Sequence, residues 1–149
     1  MILRFFNNIN KSRYFTTGYF NTSFTSIESQ PIDLDQYYGA GNLYMSTDDI
    51  SKLMLKLKTK KIVNTETTNL LFNSHNRDIF PKNYRYGFYV YPTHNRIHGN
   101  FFGNDLVQYS NEKYVVTLAS NYLPKPYNNQ VEKHLKHIYI DILKQPYKQ

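Results

Sequence analysis

Few residues in this 149-residue chain have a type and spacing that could carry chemistry. Cysteine is absent, which excludes thiol nucleophiles, disulfides, and zinc or iron–sulfur sites with cysteine ligands. One Ser-x-x-Lys occurs, from Ser110 to Lys113. On a helix this spacing sets an amine one turn from a hydroxyl, where it could take the hydroxyl proton. Because the run falls in a predicted hairpin turn, we do not expect it to be catalytic.

His98 is the histidine with the most suggestive context, because Gly99 follows it on a predicted strand. The pattern alone also fits an ordinary strand histidine. His134 and His137 are three residues apart on a predicted helix, but no carboxylate or third histidine follows at a ligand spacing. We therefore expect no metal site, and we expect surface positions for the remaining histidines, which are His75, His94, His134 and His137.

The charge of the chain favours an anionic partner. It has 18 Lys and Arg against 11 Asp and Glu, a formal charge of +7. The only dense basic run, Lys56 to Lys61, ends a predicted helix, where cations complement the helix dipole and face solvent. The 15 Tyr and 10 Phe could stack nucleic-acid bases, but no basic stripe accompanies them. The alternating aromatics between Tyr84 and Tyr91 are more typical of a sheet face, and we expect no nucleic-acid partner.

Two other classes are disfavoured. Gly39-x-Gly41 lacks the lysine, third glycine and preceding strand of a nucleotide loop, so we expect no cofactor. No stretch approaches the roughly 20 apolar residues of a membrane helix. The apolar cluster within residues 1–10 is too short for a signal peptide, so the chain would be cytoplasmic if expressed as written.

The elements that position these residues follow from hydrophobic periodicity. Residues 1–36 lack a sustained period and are predicted to be mostly irregular. Ser46 and the following acids predict a helix at about 47–59, whose apolar stripe is Ile50, Leu53, Met54 and Leu57. A second helix is predicted from Thr65 to about Asn73, capped by Asn64 or Thr65.

Four short β-branched and aromatic runs then predict strands at Tyr84–Tyr91, Arg96–Phe102, Asp105–Ser110 and Tyr114–Asn121. The short turns between them allow only antiparallel pairing, and Val115 to Ala119 reads as a central strand covered on both faces. A last helix, capped by Asn128 or Asn129, runs to about Leu143, with Val131, Leu135, Ile138 and Ile142 on its apolar side. The chain is thus predicted to be α+β, an antiparallel sheet of about four strands with helices packed on it.

The segment from Gly39 to Ile50 resembles the glycine-rich entry and helix start of the serine β-lactamase-like family, which includes class C β-lactamases, DD-peptidases and esterases. Further matches follow in the family's order: Tyr86-Gly87-Phe88, Ile97-His98-Gly99-Asn100, Val115 to Asn121, and the C-terminal helix. The resemblance covers about residues 16–143. It is greatest to the methicillin-resistance-associated branch of Gram-positive bacteria, whose members act as penicillin-binding proteins and as esterases that remove D-alanine from teichoic acids.

The resemblance implies a role for one of the family's three active-site motifs. His98 takes the Lys or His position of the third motif, Gly99 the middle position and Asn100 the glycine position. The backbone N–H of Phe101 takes the oxyanion-hole position. Asn100 departs from the pattern, and its side chain would fill space that glycine leaves clear.

The other two motifs are missing. Tyr19-x-Asn21 spells Tyr-x-Asn, but Gly18-Tyr19 is more similar to the family's later Gly-Tyr signature. We therefore interpret residues 1–149 as a single partial domain, the C-terminal part of a serine hydrolase, inactive alone. The resemblance implies cell-wall D-alanyl peptide or teichoic acid as partner, and the cell envelope or exterior as the parent's location. The alternative is a non-catalytic basic module that binds an anionic wall polymer.

Overall fold

The computed structural model describes residues 4–5, 17–22, 25–28, 43–73 and 83–148. Four short strands come first: β1 (Arg4–Phe5), β2 (Tyr19–Thr22), β3 (Thr25–Glu28) and β4 (Leu43–Tyr44). Two helices follow, α1 (Thr47–Lys58) and α2 (Thr65–Phe72). Six strands come next: β5 (Tyr84–Arg85), β6 (Phe88–Val90), β7 (Asn95–Phe101), β8 (Asn104–Ser110), β9 (Val115–Ser120) and β10 (Tyr122–Lys125). The last elements are α3 (Gln130–His137) and a π-helical turn (Ile138–Ile142).

Both predicted N-terminal caps form. The Ser46 side chain accepts a hydrogen bond from the Asp49 N–H at 3.0 Å, so α1 begins where the sequence predicts. The Asn64 side chain, rather than Thr65, caps α2 by accepting from the Thr67 N–H at 2.8 Å. Each helix ends within about one residue of its predicted end.

The main sheet is antiparallel, with strand order β5-β6-β7-β8-β9, which confirms the predicted α+β class. It has five strands rather than about four because the run predicted as one strand, Tyr84–Tyr91, is broken by a turn. Tyr86 and Gly87 both have positive φ, 43° and 88°, the conformation that a two-residue hairpin turn requires.

The buried strand is β8, not β9. Val107, Gln108, Tyr109 and Ser110 are all fully buried. β9 is an outer strand among the described ones, and its residues are half-buried or exposed, so the prediction of a central strand there is wrong. A continuous apolar run indicates that both faces of a strand are covered, but it does not indicate whether one or both edges of the strand pair with a neighbour.

Helices cover both faces of the sheet. On one face, Val107 and Tyr109 of β8 pack against Val131 and Leu135 of α3 and against Tyr139. On the other face, Met54 of α1 packs with apolar residues of the sheet and of α2, which are Phe88, Val90, Ile97, Val115, Leu71 and Phe72. Alternate residues of a strand therefore face different helices.

The C-terminal helix departs from its predicted face. Val131 and Leu135 are buried as predicted, but Tyr139 is fully buried while Ile142 is 62% exposed. Tyr139 lies four residues after Leu135 and so keeps the α-helical spacing, whereas Ile142 ends a π-helical turn in which the Leu143 N–H bonds the Ile138 carbonyl at 3.0 Å. A five-residue step rotates the following side chains away from the positions that an α-helical period assigns. Asn129 occupies the cap position without a side-chain bond.

Residues 1–36, expected to be mostly irregular, contribute three short strands. β2 pairs in parallel with β10 and antiparallel with β3. Just before β2, Gly18 lies against the turn between β7 and β8, where an added Cβ would sit 2.0 Å from the Phe102 carbonyl oxygen. This contact fixes the tip of the β7–β8 hairpin. No helix within the described ranges has the length and apolar character to cross a membrane.

Candidate functional site

Strand β7 has an open edge at its C-terminal half. Among the described strands, β6 pairs with only Asn95 and Arg96 of β7, so nothing pairs with the remainder on that side. The Tyr91 N–H bonds the His94 carbonyl at 2.9 Å at the start of this ladder. Since antiparallel backbone groups alternate in direction, the N–H groups of His98 and Asn100 point to the open edge.

The same alternation directs Phe101 the other way. Phe101 pairs with Asn104 across a two-residue turn, Phe102-Gly103, whose φ angles are 43° and 77°. Residues that flank such a turn bond each other, so the Phe101 N–H points to β8. The resemblance assigned the oxyanion-hole N–H to Phe101. In this register the N–H that points to the open edge belongs to Asn100 instead, because the hairpin turn begins immediately after Phe101.

The His98 imidazole is held by groups of this chain. Arg96 Nη2 lies 2.9 Å from His98 Nδ1. A guanidinium can only donate, so Nδ1 accepts and the ring proton resides on Nε2. His98 Nε2 lies 3.0 Å from Asp105 Oδ1 and 2.8 Å from the Tyr127 hydroxyl oxygen. The side chain is 15% exposed, on the face of the sheet that α3 covers.

Tyr127 and Asn100 extend this network to the edge. The Tyr127 hydroxyl donates to Asp105 Oδ2 at 3.1 Å. Burial, with the charge of Asp105, raises the pKa of Tyr127 to about 12, although a hydrogen bond from the Asn100 side chain works to lower it. Tyr127 is therefore a phenol at neutral pH. Asn100 itself is exposed.

The opposite end of the network is anchored in the core. Glu132 accepts two bonds from Arg96, at 2.8 and 2.9 Å, and one from the Tyr109 hydroxyl at 2.9 Å. Burial works to raise the pKa of Glu132, but the bonds from Arg96 and Tyr109 and the Arg96 charge lower it overall. Burial raises the pKa of Tyr109, so this group is a neutral donor. The carboxylate and guanidinium thus form a largely buried ion pair joined by two hydrogen bonds.

The other sequence candidates lie elsewhere. Ser110 ends β8, where it is fully buried, whereas Lys113 is exposed in the following turn, and the Ser110 hydroxyl has no hydrogen-bond partner among the described residues. Tyr19 and Asn21 lie on β2, in a different sheet from β7. Across the described residues, no group of three or more His, Asp or Glu could hold a metal ion.

One histidine differs from its predicted surface position. His94 is only 3% exposed, because its ring stacks between Tyr91 and Tyr147, at centroid distances of 4.8 and 4.5 Å. Burial, aided by the charges of Lys136 and Arg96, lowers its pKa to about 4. His134 and His137 are exposed as predicted, and His75 lies outside the described residues.

Five residues of the network were not predicted, namely Arg96, Asp105, Tyr109, Tyr127 and Glu132. Arg96 had a weak signal, since it lies two residues from His98 and a strand places such residues on one face. Asp105 faces the His98 ring only through the hairpin register. Tyr127 reaches that ring, and Glu132 reaches Arg96, only through the tertiary fold.

No protein-family model matches the chain. Teichoic acid D-alanine hydrolase of Staphylococcus aureus is 45% identical over 133 residues, which are 89% of this chain and 32% of that protein. The same enzyme from strain MRSA252 is 43% identical over 141 residues, covering 95% of this chain and 34% of that protein. The crystal structure of FmtA from Staphylococcus aureus aligns with a TM-score of 0.81 and 42% identity, over 99% of this chain and 40% of that chain.

The chain spans about a third of the length of the curated relatives it matches. Its five-stranded sheet and helices match the C-terminal region of FmtA. The chain therefore belongs, as its sequence motifs indicated, to the β-lactamase-like and penicillin-binding-protein-like family, of which it corresponds to the C-terminal part.

Proposed function

We propose that this chain forms the substrate-binding edge of a serine ester hydrolase that releases D-alanine from teichoic acid. The observation that carries the proposal is the open edge of β7, where the N–H groups of His98 and Asn100 point outward with no pairing strand among the described ones. Such donors can bind a carbonyl oxygen and the negative charge it gains when a nucleophile attacks. The substrate class comes from the name of the similar hydrolases.

Each residue of the third motif has a part in this proposal. The Asn100 N–H donates to the ester carbonyl oxygen. Gly99 leaves space beside it, since a Cβ at this position would meet no atom within 4 Å. The His98 ring positions Tyr127, whose hydroxyl oxygen lies 2.8 Å from His98 Nε2. Phe101 ends the strand and holds the hairpin register.

The nucleophile and its base come from outside the described residues in this proposal. Ser110 has no base as a partner within the described part of the chain, so we expect the isolated chain to release no D-alanine. We also expect no covalent labelling by penicillin or a fluorophosphonate. Labelling at Ser110 or another serine of the chain would contradict the assignment. With teichoic acid as substrate, the place of action is the cell envelope.

A chimera tests the proposal directly. This chain replaces the matching segment of the Staphylococcus aureus hydrolase, and D-alanine release from teichoic acid is measured beside the unmodified enzyme. We expect the chimera to hydrolyse the ester. A chimera that folds, as judged by circular dichroism and thermal unfolding, and yet releases no D-alanine would refute the proposal.

A second candidate function rests on charge. Lys56, Lys60 and Lys61 are exposed at the end of α1, and the chain carries a formal charge of +7. A non-catalytic module would bind the phosphate groups of teichoic acid through such lysines, and its retention would fall steeply with salt. Retention on immobilised teichoic acid that is unchanged from low to high salt would exclude this electrostatic binding.

A further inference from the structure

We propose that the C-terminal end of α1 is a surface that docks on an anionic lipid bilayer. This surface, the basic turn, consists of Leu55, Lys56, Lys60, Lys61 and Ile62. The inference goes beyond the proposed function, because it concerns where the chain docks rather than which bond is cleaved. It rests on the backbone geometry of the turn and on the exposure and charge of its side chains.

The backbone of the basic turn has the hydrogen-bond pattern of a Schellman motif. The Lys61 N–H bonds the Lys56 carbonyl at 2.9 Å, and the Lys60 N–H bonds the Leu57 carbonyl at 3.2 Å. Lys60 has a φ of 60°, the left-handed conformation that the motif requires and that glycine adopts without strain. The local fold therefore favours glycine at this position, and it gives no reason for a lysine.

The motif also brings two further lysines together. The residues at the positions of Lys56 and Lys61 in a Schellman motif are commonly apolar and contact each other. Here both are lysines, and both are exposed. Ammonium groups held at neighbouring positions repel each other, and an anion beside them removes that repulsion. The turn thus concentrates positive charge where the motif usually has an apolar contact.

These cations are available to a ligand. No carboxylate in the described part of the chain forms an ion pair with Lys56, Lys60 or Lys61. Lys58 is a contrast in the same turn, because its ammonium group donates to the Asn111 carbonyl. Burial accordingly lowers the pKa of Lys58. One lysine of the turn therefore serves the fold, whereas the three lysines of the basic turn face solvent.

Two exposed apolar side chains decide between a bilayer and a soluble polyanion. Leu55 and Ile62 are 53% and 48% exposed. They lie next in sequence to Lys56 and Lys61, so the hydrogen bond between those lysines places both at the same turn. A soluble phosphate polymer offers groups to the lysines but none to leucine and isoleucine. A bilayer interface offers both, since headgroup phosphates lie just above the boundary of the acyl chains.

Co-sedimentation of the full chain with lipid vesicles tests the proposal. One set of vesicles is phosphatidylcholine alone, and the other is phosphatidylcholine mixed with an equal part of phosphatidylglycerol. We expect binding to the anionic vesicles to be at least about tenfold tighter, and to weaken as salt is added. Equal binding to the two kinds of vesicle would overturn the proposal, and so would no binding to either.

Lys60→Gly separates binding from folding. It removes one charge and relieves the left-handed backbone, so binding should weaken about fivefold while stability in urea is unchanged or higher. A loss of binding then cannot result from unfolding. The matched control is Lys133→Gln, which removes an exposed lysine of α3 and should bind like the native chain. An equal loss in both variants would show that net charge, and not the basic turn, causes binding.

The double variant Leu55→Ser with Ile62→Ser tests the choice of a bilayer, because it keeps every charge. We expect its binding to fall by at least about tenfold. Ile142→Ser, at an apolar residue that is 62% exposed elsewhere, is the control and should bind normally. A loss in Lys60→Gly without a loss in the double variant would indicate a soluble polyanion such as teichoic acid and would overturn the bilayer assignment. The assay needs neither nucleophile nor substrate, so its outcome is independent of D-alanine release by the chimera.

Discussion

Lowering the pH from 7 to 5 should destabilise the folded chain through His94. The His94 ring is enclosed by tyrosines, and its Nε2 has no hydrogen-bond partner among the described residues. Protonation would therefore bury a charge and an unpaired donor. The pKa is about 4 in the folded chain against an ordinary value of 6.5. Between these values the unfolded chain binds more protons, so stability is complete above pH 6.5 and falls as the pH falls toward 4.

The size of the effect follows from the two pKa values. The full difference corresponds to about 3 kcal/mol in the free energy of unfolding. Evaluated between pH 7 and pH 5, the loss from His94 is about 2 kcal/mol. The pKa of Glu132 is lowered in the folded chain, so the stability that its ionised carboxylate contributes is lost only at a pH more acidic than this range.

Urea unfolding followed by tyrosine fluorescence at pH 7, 6 and 5 measures this loss. In His94→Phe, which keeps an aromatic ring between Tyr91 and Tyr147, the slope against pH should nearly disappear, whatever the absolute stability. The exposed His134→Gln serves as control and should keep the native slope. A native-like slope in His94→Phe, or a native chain whose stability is unchanged between pH 7 and 5, would show that protonation of His94 does not cause the loss of stability.

Two further results are expected from stability measurements by urea unfolding. Gly18→Ala should lose roughly 1–3 kcal/mol, since its Cβ would meet the Phe102 carbonyl, while Gly99→Ala, with open space around its Cβ, should lose much less. Equal losses would contradict the close contact of Gly18. Arg96→Met should lose about 3–5 kcal/mol by leaving the Glu132 carboxylate buried and unpaired, and the double variant with Glu132→Met should regain most of that loss. Additive losses would show that the two side chains do not act as a pair.

Local patterns predicted the elements whose causes are local. The caps at Ser46 and Asn64 and the stripe around Met54 define α1 and α2, because a helix is determined by neighbours within a few residues. The hairpin turns likewise set the antiparallel order of β6 to β9. The positive φ at Tyr86 has no comparable sequence signal, because this position is not glycine. The turn that it forms separates β5 from β6, which the hydrophobic pattern had predicted as one strand.

Features that depend on distant contacts were missed. The pairing of β2 with β10 joins residues about a hundred positions apart, which no short window contains. The burial of His94 depends on Tyr147 at the end of the chain, and the π-helical turn changes which C-terminal residues face the core. These elements are fixed by tertiary packing rather than by propensity.

The candidate site shows the same division. The motif pattern selected His98, Gly99 and Asn100, which do lie on the open edge of β7, and these remain predictions until binding is measured. The direction of each N–H, however, depends on the hairpin register. A shift of one residue decides whether the N–H of Asn100 or that of Phe101 points to the open edge. The partners of His98 are Arg96 on β7 itself, Asp105 on β8 and Tyr127 in the segment before α3, and only the fold could reveal the last two.

D-alanine release by the chimera carrying Asn100→Pro measures most directly whether the Asn100 N–H binds the carbonyl oxygen of the ester. Proline removes the N–H from the open edge and, because that N–H does not pair with β8, leaves the ladder intact. We expect a fall of roughly 100- to 1,000-fold in kcat, the cost of losing one oxyanion donor, and a much smaller fall for Asn100→Ala. A folded Asn100→Pro chimera that releases D-alanine at the rate of the unmodified chimera would contradict it.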